Sequence, residues 1–319
     1  MLLVIAVLTA APAIAEQATL VYPEELGDER LERDREVQLK AAESYAPFHD
    51  FRFRDRREAS GIGFRHRIVD DAGKHYKAVH YDHGNGVAVA DADGDGRHDL
   101  YFTTQLGRNE LWKNLGGGRF EDVTAAAGVG LEDRVSITAS FADFDNDGDQ
   151  DLFVTTVRMG NVLFENDGGG RFRDVTRRAG VDFTGHSSAA VFFDYDRDGF
   201  LDLLVTNVGA YTTDEKGFGG YWVGFQKDAF RGHLHPERFE RSTLYKNRGD
   251  GTFEDVSEKV LLVDRSWSGD AAFTDLNRDG YPDLYVLNMQ GDDHYYENVG
   301  GSFFVEKRAQ LFRKSPWGA

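Results

Sequence analysis

Four nine-residue stretches carry side chains suited to one kind of chemistry, the binding of a hard cation by oxygen. They are Asp91-Ala-Asp93-Gly-Asp95-Gly-Arg97-His-Asp99, Asp143-Phe-Asp145-Asn-Asp147-Gly-Asp149-Gln-Asp151, Asp194-Tyr-Asp196-Arg-Asp198-Gly-Phe200-Leu-Asp202 and Asp275-Leu-Asn277-Arg-Asp279-Gly-Tyr281-Pro-Asp283. Each sets a carboxylate or amide oxygen at positions 1, 3, 5 and 9, with glycine at position 6. Position 7 (Arg97, Asp149, Phe200, Tyr281) shares no chemistry, as expected where only the backbone carbonyl is offered. Calcium takes six to eight oxygens at about 2.3–2.6 Å, whereas magnesium keeps more of its water. Glycine at position 6 permits the tight curl that brings the acids together. One such stretch alone would read as a solvated Asp/Gly turn, but four copies in one register predict about four calcium sites. Asn277 leaves the fourth with one charge fewer.

β-type residues flank the loops, Val87-Ala-Val-Ala90 before the first and Leu100-Tyr-Phe102 after it. These are therefore hairpins and not the helix–loop–helix of an EF-hand, whose last acid stands at position 12. Loop starts at 91, 143, 194 and 275 give a period near fifty, the last interval holding one repeat plus an insertion of about thirty residues. After each loop come a second strand and a third ending in aromatic-charged-Asn (Trp112-Lys-Asn114, Phe164-Glu-Asn166, Tyr245-Lys-Asn247, Tyr296-Glu-Asn298). A glycine-rich turn and a fourth strand follow. Thr124, Thr176 and Ser257 are expected to cap short helical turns that Gly128 and Gly180 end. Four strands at this period predict an all-β fold, a β-propeller of four-stranded blades with calcium-binding hairpin loops. The repeats run over about 82–130, 135–182, 187–262 and 268–312, with an insertion at 209–241.

These repeats resemble the FG-GAP/VCBS repeats of calcium-binding β-propellers, the class that includes the integrin α head. The ending Phe120-Glu-Asp-Val-Thr124 to Val129 is similar to the ASPIC/UnbV, cartilage-acidic-protein-like branch. The likeness covers about residues 48–319, and the Asp loops are its most specific part. No Gly-Ala-Pro triplet occurs, and the UnbV segment of that branch is not evident.

Phe53 and Gly61 repeat the spacing of Phe172 and Gly180. The N-terminal region is thus expected to supply the outer strand of a further blade, and the ring to be incomplete in this chain. The remaining blades would come from a longer chain or another subunit, since an open sheet edge invites association.

The 319 residues contain no cysteine and carry a net charge of −18. That excludes disulfide staples and thiol chemistry, and argues against nucleic acid or anionic membranes as partners. Residues 1–15 read as a signal peptide, an apolar run ending in Ala13-Ile-Ala15 and too short to span a bilayer. A secreted, periplasmic or cell-surface location is expected, without membrane insertion. Residues 16–47 are a charged helical or linker segment, and 48–319 the propeller.

Strand alternation puts the acidic hairpins and the glycine turns at one face. The insertion falls at the opposite face and carries Tyr221, Trp222, Phe225, His233 and His235, the candidate ligand-binding residues. Arg248-Gly-Asp250 occupies a glycine-turn position and reads as a turn variant. No catalytic motif stands out, and carboxylates holding calcium are poor general acids. The sequence reads as an exported calcium-binding module for a protein or surface glycan, more a binder than an enzyme. The alternative is a propeller-based hydrolase acting on carbohydrate or phospho-ester, with its site in the channel or under the insertion.

Overall fold

The computed structural model describes residues 36–41, 53–69, 86–216, 221–225, 235–290 and 292–311. The expected leader at 1–15 lies outside the described residues, as does most of 16–47, of which 36–41 are helical and exposed. No described helix is long and apolar enough to cross a membrane.

Residues 55–319 form one unit. It is all-β, with four four-stranded antiparallel sheets in sequence order. The first holds β1 (Val87–Ala90), β2 (Asp99–Phe102), β3 (Glu110–Gly116) and β4 (Arg119–Asp122). The second holds β5 (Ser136–Ala142), β6 (Asp151–Thr156), β7 (Val162–Asn166) and β8 (Phe172–Asp174). The third begins with β9 (Ser187–Phe193) and β10 (Asp202–Asn207). A hairpin of β11 (Thr212–Lys216) and β12 (Trp222–Gly224) interrupts it before β13 (Thr243–Asn247) and β14 (Phe253–Asp255). The fourth holds β15 (Trp267–Thr274), β16 (Asp283–Gln290), β17 (His294–Val299) and β18 (Phe303–Glu306).

Every acidic stretch joins the first two strands of its sheet in one register. The pairs Ala90↔Asp99, Ala142↔Asp151, Phe193↔Asp202 and Thr274↔Asp283 close the four hairpins. Each sheet packs on the next through its own apolar cluster. Tyr101 and Leu111 meet Leu152 and Val162 between the first two sheets. Phe144 and Phe153 meet Leu203 and Tyr245 between the next two, and Leu204 and Leu244 meet Leu284 and Tyr296 between the last two. Hence β6 and β10, with sheets on both sides, are buried at every residue. In β1 burial alternates, leaving Val87 and Val89 exposed. First strands of successive sheets come close enough for side chain to backbone bonds, Ser140 Oγ donating to Ala190 O and Ser188 Oγ to Gly269 O, both at 2.6 Å. The small Ser, Ala and Gly residues of these strands allow that approach.

The turn after the fourth strand differs from expectation in one respect. Val123 and Val175, not the threonines, precede the helical turns Thr124–Ala127 and Thr176–Ala179, and no side chain caps them. The Thr124, Thr176 and Ser257 hydroxyls instead accept the backbone amides of Leu111, Leu163 and Leu244 at 2.9 Å. They donate to Asp122, Asp174 and Asp255. The hydroxyl therefore ties the third strand to the turn. Gly128 and Gly180 end the helical turns at φ +79° and +77°, each against a backbone carbonyl of the next sheet, Phe172 O and Phe253 O. Arg57–Ser60 forms the same helical turn, ended by Gly61 at φ +81° against Phe120 O. Asp55 accepts the Arg57 amide there, as Asp174 accepts that of Thr176. Residues 53–56, however, form no strand. They lack a third strand to pair with among the described residues.

Gly180→Ala would place a Cβ 3.3 Å from Phe253 O in a left-handed backbone. It is expected to lower stability by about 1–2 kcal/mol, read by urea unfolding; an unchanged midpoint would show the turn to be pliable.

Candidate cation-binding hairpins

Each hairpin is wound by its own carboxylates. The position 1 acid accepts the amides of positions 5 and 6. Asp143 takes Asp147 N at 3.1 Å and Gly148 N at 3.0 Å, and Asp91, Asp194 and Asp275 do likewise. The position 5 acid accepts the amide of position 7, Arg97, Asp149, Phe200 or Tyr281, at 2.9–3.1 Å. Position 6 is left-handed in all four loops, which the glycines foretold. Position 4 is left-handed too, at Gly94, Asn146, Arg197 and Arg278. Gly94 and Asn146 are residue types that favour it, whereas arginine seldom adopts that backbone, so Arg197 and Arg278 gave no sequence signal.

The position 9 acid is buried and does two jobs. Asp151 accepts Phe144 N at 3.1 Å from position 2 of its own loop and Asn166 N at 2.8 Å from the end of β7. Asp99, Asp202 and Asp283 repeat this with Ala92 and Asn114, Tyr195 and Asn247, and Leu276 and Asn298. The asparagine then links neighbouring loops. Asn166 Nδ2 donates to Gln150 O in its own loop and to Ala92 O in the loop before. Asn247 does so to Leu201 O and Phe144 O, and Asn298 to Pro282 O and Tyr195 O. Asn114, with no earlier described loop, reaches only His98 O.

In three loops these bonds converge the acids. One oxygen each from Asp91, Asp93 and Asp99 lies within 4.8 Å of the others, as do those of Asp143, Asp145 and Asp151 and of Asp194, Asp196 and Asp202. Asp95, Asp147 and Asp198 stand outside these groups. In the fourth loop Asn277 Nδ2 donates to Asp279 at 2.9 Å.

The donor set is all oxygen, which fits a hard cation. Asp145 Oδ1, Asp149 Oδ1 and Asp196 Oδ1 are buried with no hydrogen-bond partner, a costly state for a carboxylate that a cation would relieve. Burial lifts Asp151 from 3.8 to about 8 despite two amide donors, and lifts Asp202 to about 7. Burial, then the charge of Asp147, lifts Asp149 to about 6. A bound cation would reverse these shifts by favouring the ionised form.

The third-strand residue before the asparagine divides the loops. Lys113 pairs with Asp93 and, at 3.3 Å, with Asp95. Lys246 pairs with Asp196 and, at 2.8 Å, with Asp198. Burial alone would lower Lys246, but these bonds hold it above its ordinary range. In the second and fourth sheets the residue is glutamate. Glu165 and Glu297 turn to Arg173 and Lys307, both at 2.5 Å, and not to the loop.

At the other end of the strands the insertion is pinned down. Tyr211 and Tyr221 pack with Val135, Val157, Val208 and Trp267. The Trp222 ring carries the Lys216 ammonium 3.1 Å from its centre and the Arg158 guanidinium at 4.8 Å. Phe225 carries Arg238 at 4.0 Å. His235 Nδ1 meets Glu237 at 3.0 Å, and His233 lies outside the described residues. His186 stands in no motif of the sequence. It is buried, with Nδ1 2.8 Å from Glu240 Oε1 and Nε2 2.8 Å from Thr212 Oγ1, so it joins both roots of the insertion.

Two predictions follow from this wiring. Asn247→Ala orphans two carbonyls and is expected to cost about 1–3 kcal/mol. Asn114→Ala, lacking the inter-loop bond, should cost less, and equal losses in chemical denaturation would contradict the linkage. Lys113→Met and Lys246→Met are expected to tighten cation uptake at the first and third loops by up to about fivefold, the worth of a part-exposed ion pair. A calorimetric calcium titration checks this, and unchanged affinities would show the lysines to be bystanders.

The FG-GAP-like repeat pattern matches residues 91–154, 143–205 and 235–286, together more than half of the chain. Cartilage acidic protein 1 of Homo sapiens is 28% identical over 138 residues, 40% of this chain and 21% of that protein. Its Xenopus tropicalis counterpart is 28% identical over 143 residues. The match thus spans about a fifth of the length of these curated relatives. Among solved structures, an Agrocybe aegerita lectin that recognises non-reducing terminal N-acetylglucosamine aligns at TM-score 0.38 with 19% identity, over 69% of this chain and 51% of that one. The V. cholerae biofilm matrix protein Bap1 aligns at 0.32 with 16% identity, over 68% and 38%. Both structural likenesses are distant. By its repeats the chain belongs to the FG-GAP-like repeat family and is related to the cartilage acidic proteins.

Proposed function

We propose that the four sheets are blades of a β-propeller, that each acidic hairpin holds one Ca²⁺, and that the chain is an exported, non-catalytic binding module. Its partner, a protein or surface glycan, would meet the end opposite the calcium loops. One observation carries this reading. The acidic ends repeat one hairpin winding four times, converge their acids in three, and are wired to each other, while the insertion is collected at the other end. A uniform, cation-filled end serves as scaffold, and a varied end on a rigid support is where recognition residues concentrate. Export agrees with calcium use, because weak calcium sites fill outside the cytosol.

The hydrolase alternative has one observation in its favour. Thr212, His186 and Glu240 line up hydroxyl, imidazole and carboxylate in the order of a nucleophilic triad. Thr212 and His186 are 4% and 2% exposed, however, so the array works as a clamp on the insertion. A panel of neutral and acidic oligosaccharides separates the two readings. Retention without turnover supports the module, and cleavage of any member supports the hydrolase.

Calcium dependence is tested by thermal unfolding. Without calcium, ionising Asp151 and Asp202 costs the fold, because both are raised from 3.8, to about 8 and about 7. Their contribution is complete below pH 3.8 and is lost as pH rises through those values. Calcium offsets this loss, so its effect grows with pH. At pH 8, calcium at about 100 times its Kd should raise Tm by roughly 10 °C over EGTA, with a smaller gap at pH 5.5. Identical melting in calcium and EGTA at pH 8 would remove the calcium assignment.

A further inference from the structure

The second sheet carries a cavity that the acidic loops and the insertion do not explain. It has a volume of about 500 Å³ and lies beside β8, the helical turn after it and the β6–β7 connection. Four arginines line it: Arg134, Arg173, Arg177 and Arg178. Such a gathering is unexpected in a chain of net charge −18. The sister repeats do not share it. Where the second has Arg173, Arg177 and Arg178, the first has Glu121, Ala125 and Ala126, and the third has Glu254, Glu258 and Lys259.

The four guanidinium groups are differently committed. Arg134 Nη1 donates to Met159 O at 2.7 Å and Gly160 O at 2.6 Å, which fixes the group on the β6–β7 connection. Its Nε is buried and makes no hydrogen bond. Arg173 and Arg178 share one carboxylate, Glu165, so two positive charges face one negative charge. Arg177 is exposed, and among the described residues its side chain makes no hydrogen bond or ion pair, its backbone carbonyl alone accepting the Gly180 amide. The positive charge is thus only partly met from within the protein. Arginine presents a planar fork of donors that matches a carboxylate or sulfate.

The rest of the lining is not apolar. Asp174 and Asp182 stand with the arginines, and Thr184 adds a hydroxyl. Asp174 spends Oδ1 on Thr176, leaving its other oxygen as an acceptor. A site with guanidinium donors and carboxylate acceptors in about 500 Å³ suits a ligand that is both anionic and rich in hydroxyls. A sugar acid has that chemistry. No aromatic ring lines the cavity, so stacking on a neutral sugar face is not offered.

We propose that this arginine-lined cavity on the second sheet is a binding site for an acidic saccharide, with Arg177 and Arg173 engaging its carboxylate or sulfate and Asp174 and Asp182 its hydroxyls. The inference rests on the binding-module reading and names the ligand class for it. The cavity touches the β6–β7 connection and so belongs to the end away from the acidic hairpins.

The test is calorimetric titration of the whole chain in calcium with trigalacturonate, maltotriose and polyglutamate. Wild type is expected to bind trigalacturonate and not maltotriose. Arg177→Glu is expected to weaken that binding about tenfold or more, the loss of a charge-assisted bond. The Arg177 side chain is exposed and has no partner among the described residues, so this variant should melt as wild type does. Arg173→Glu provides a second variant. Several results would overturn the site. They are unchanged trigalacturonate affinity in Arg177→Glu and Arg173→Glu, binding of maltotriose alone, or tighter binding of polyglutamate than of trigalacturonate. Binding of maltotriose alone, or of no probe, would overturn this site and leave the module reading to its own test by calcium-dependent melting and oligosaccharide retention.

Discussion

The bond on which this architecture depends is the one from an asparagine side chain to the backbone of a neighbouring loop. Asn166 sits at the end of β7, receives its position from Asp151, and reaches 74 residues back in sequence to Ala92 O. Asn247 and Asn298 each reach back 103 residues in the same way. Because the same Asp also holds position 2 of its own loop, a disturbance at one loop is passed to the next through two hydrogen bonds. The apolar clusters between sheets supply most of the burial, but they are forgiving in direction. The Asp–Asn–carbonyl relay is directional, and it sets how each sheet stands on its neighbour.

That relay concentrates negative charge. The cost appears as raised carboxyl pKa values at Asp149, Asp151 and Asp202 and as buried oxygens with no donor. Two loops relieve part of it with a lysine from the third strand, and two do not. A divalent cation would relieve it in the three loops whose acids converge, with one kind of contact. Scaffold and cation would then be a single device. The backbone amides that wind the loop point the acids inward, and a bound cation would make that crowding favourable.

Much of this was legible in the sequence because it is local. Acids at positions 1, 3, 5 and 9 around a glycine specify a curl, and the β-type flanks specify a hairpin. The four-stranded sheets follow the period near fifty. What was illegible depends on partners far away in the chain. The aromatic-charged-Asn ending of each third strand was visible as a pattern, but Asn166 acts on a loop from another repeat. Thr124 looked like a helix cap, because an adjacent helical turn is the commoner partner of a threonine. It serves Leu111, thirteen residues upstream in the chain. The left-handed Arg197 and Arg278 break a local backbone preference, which only the surrounding loop bonds enforce. The Phe53–Gly61 spacing announced the end of a repeat, and the glycine turn is there, while the strand that precedes it in complete repeats is not.

The central claim is that cations and the relay stabilise the loops together. Amide hydrogen exchange measures it directly at Ala92, Phe144, Tyr195 and Leu276, the position 2 amides held by the position 9 acids. With calcium added, the account predicts that protection rises at all four and falls together on EGTA. Protection that is unchanged by calcium, or that changes at one loop alone, would contradict it.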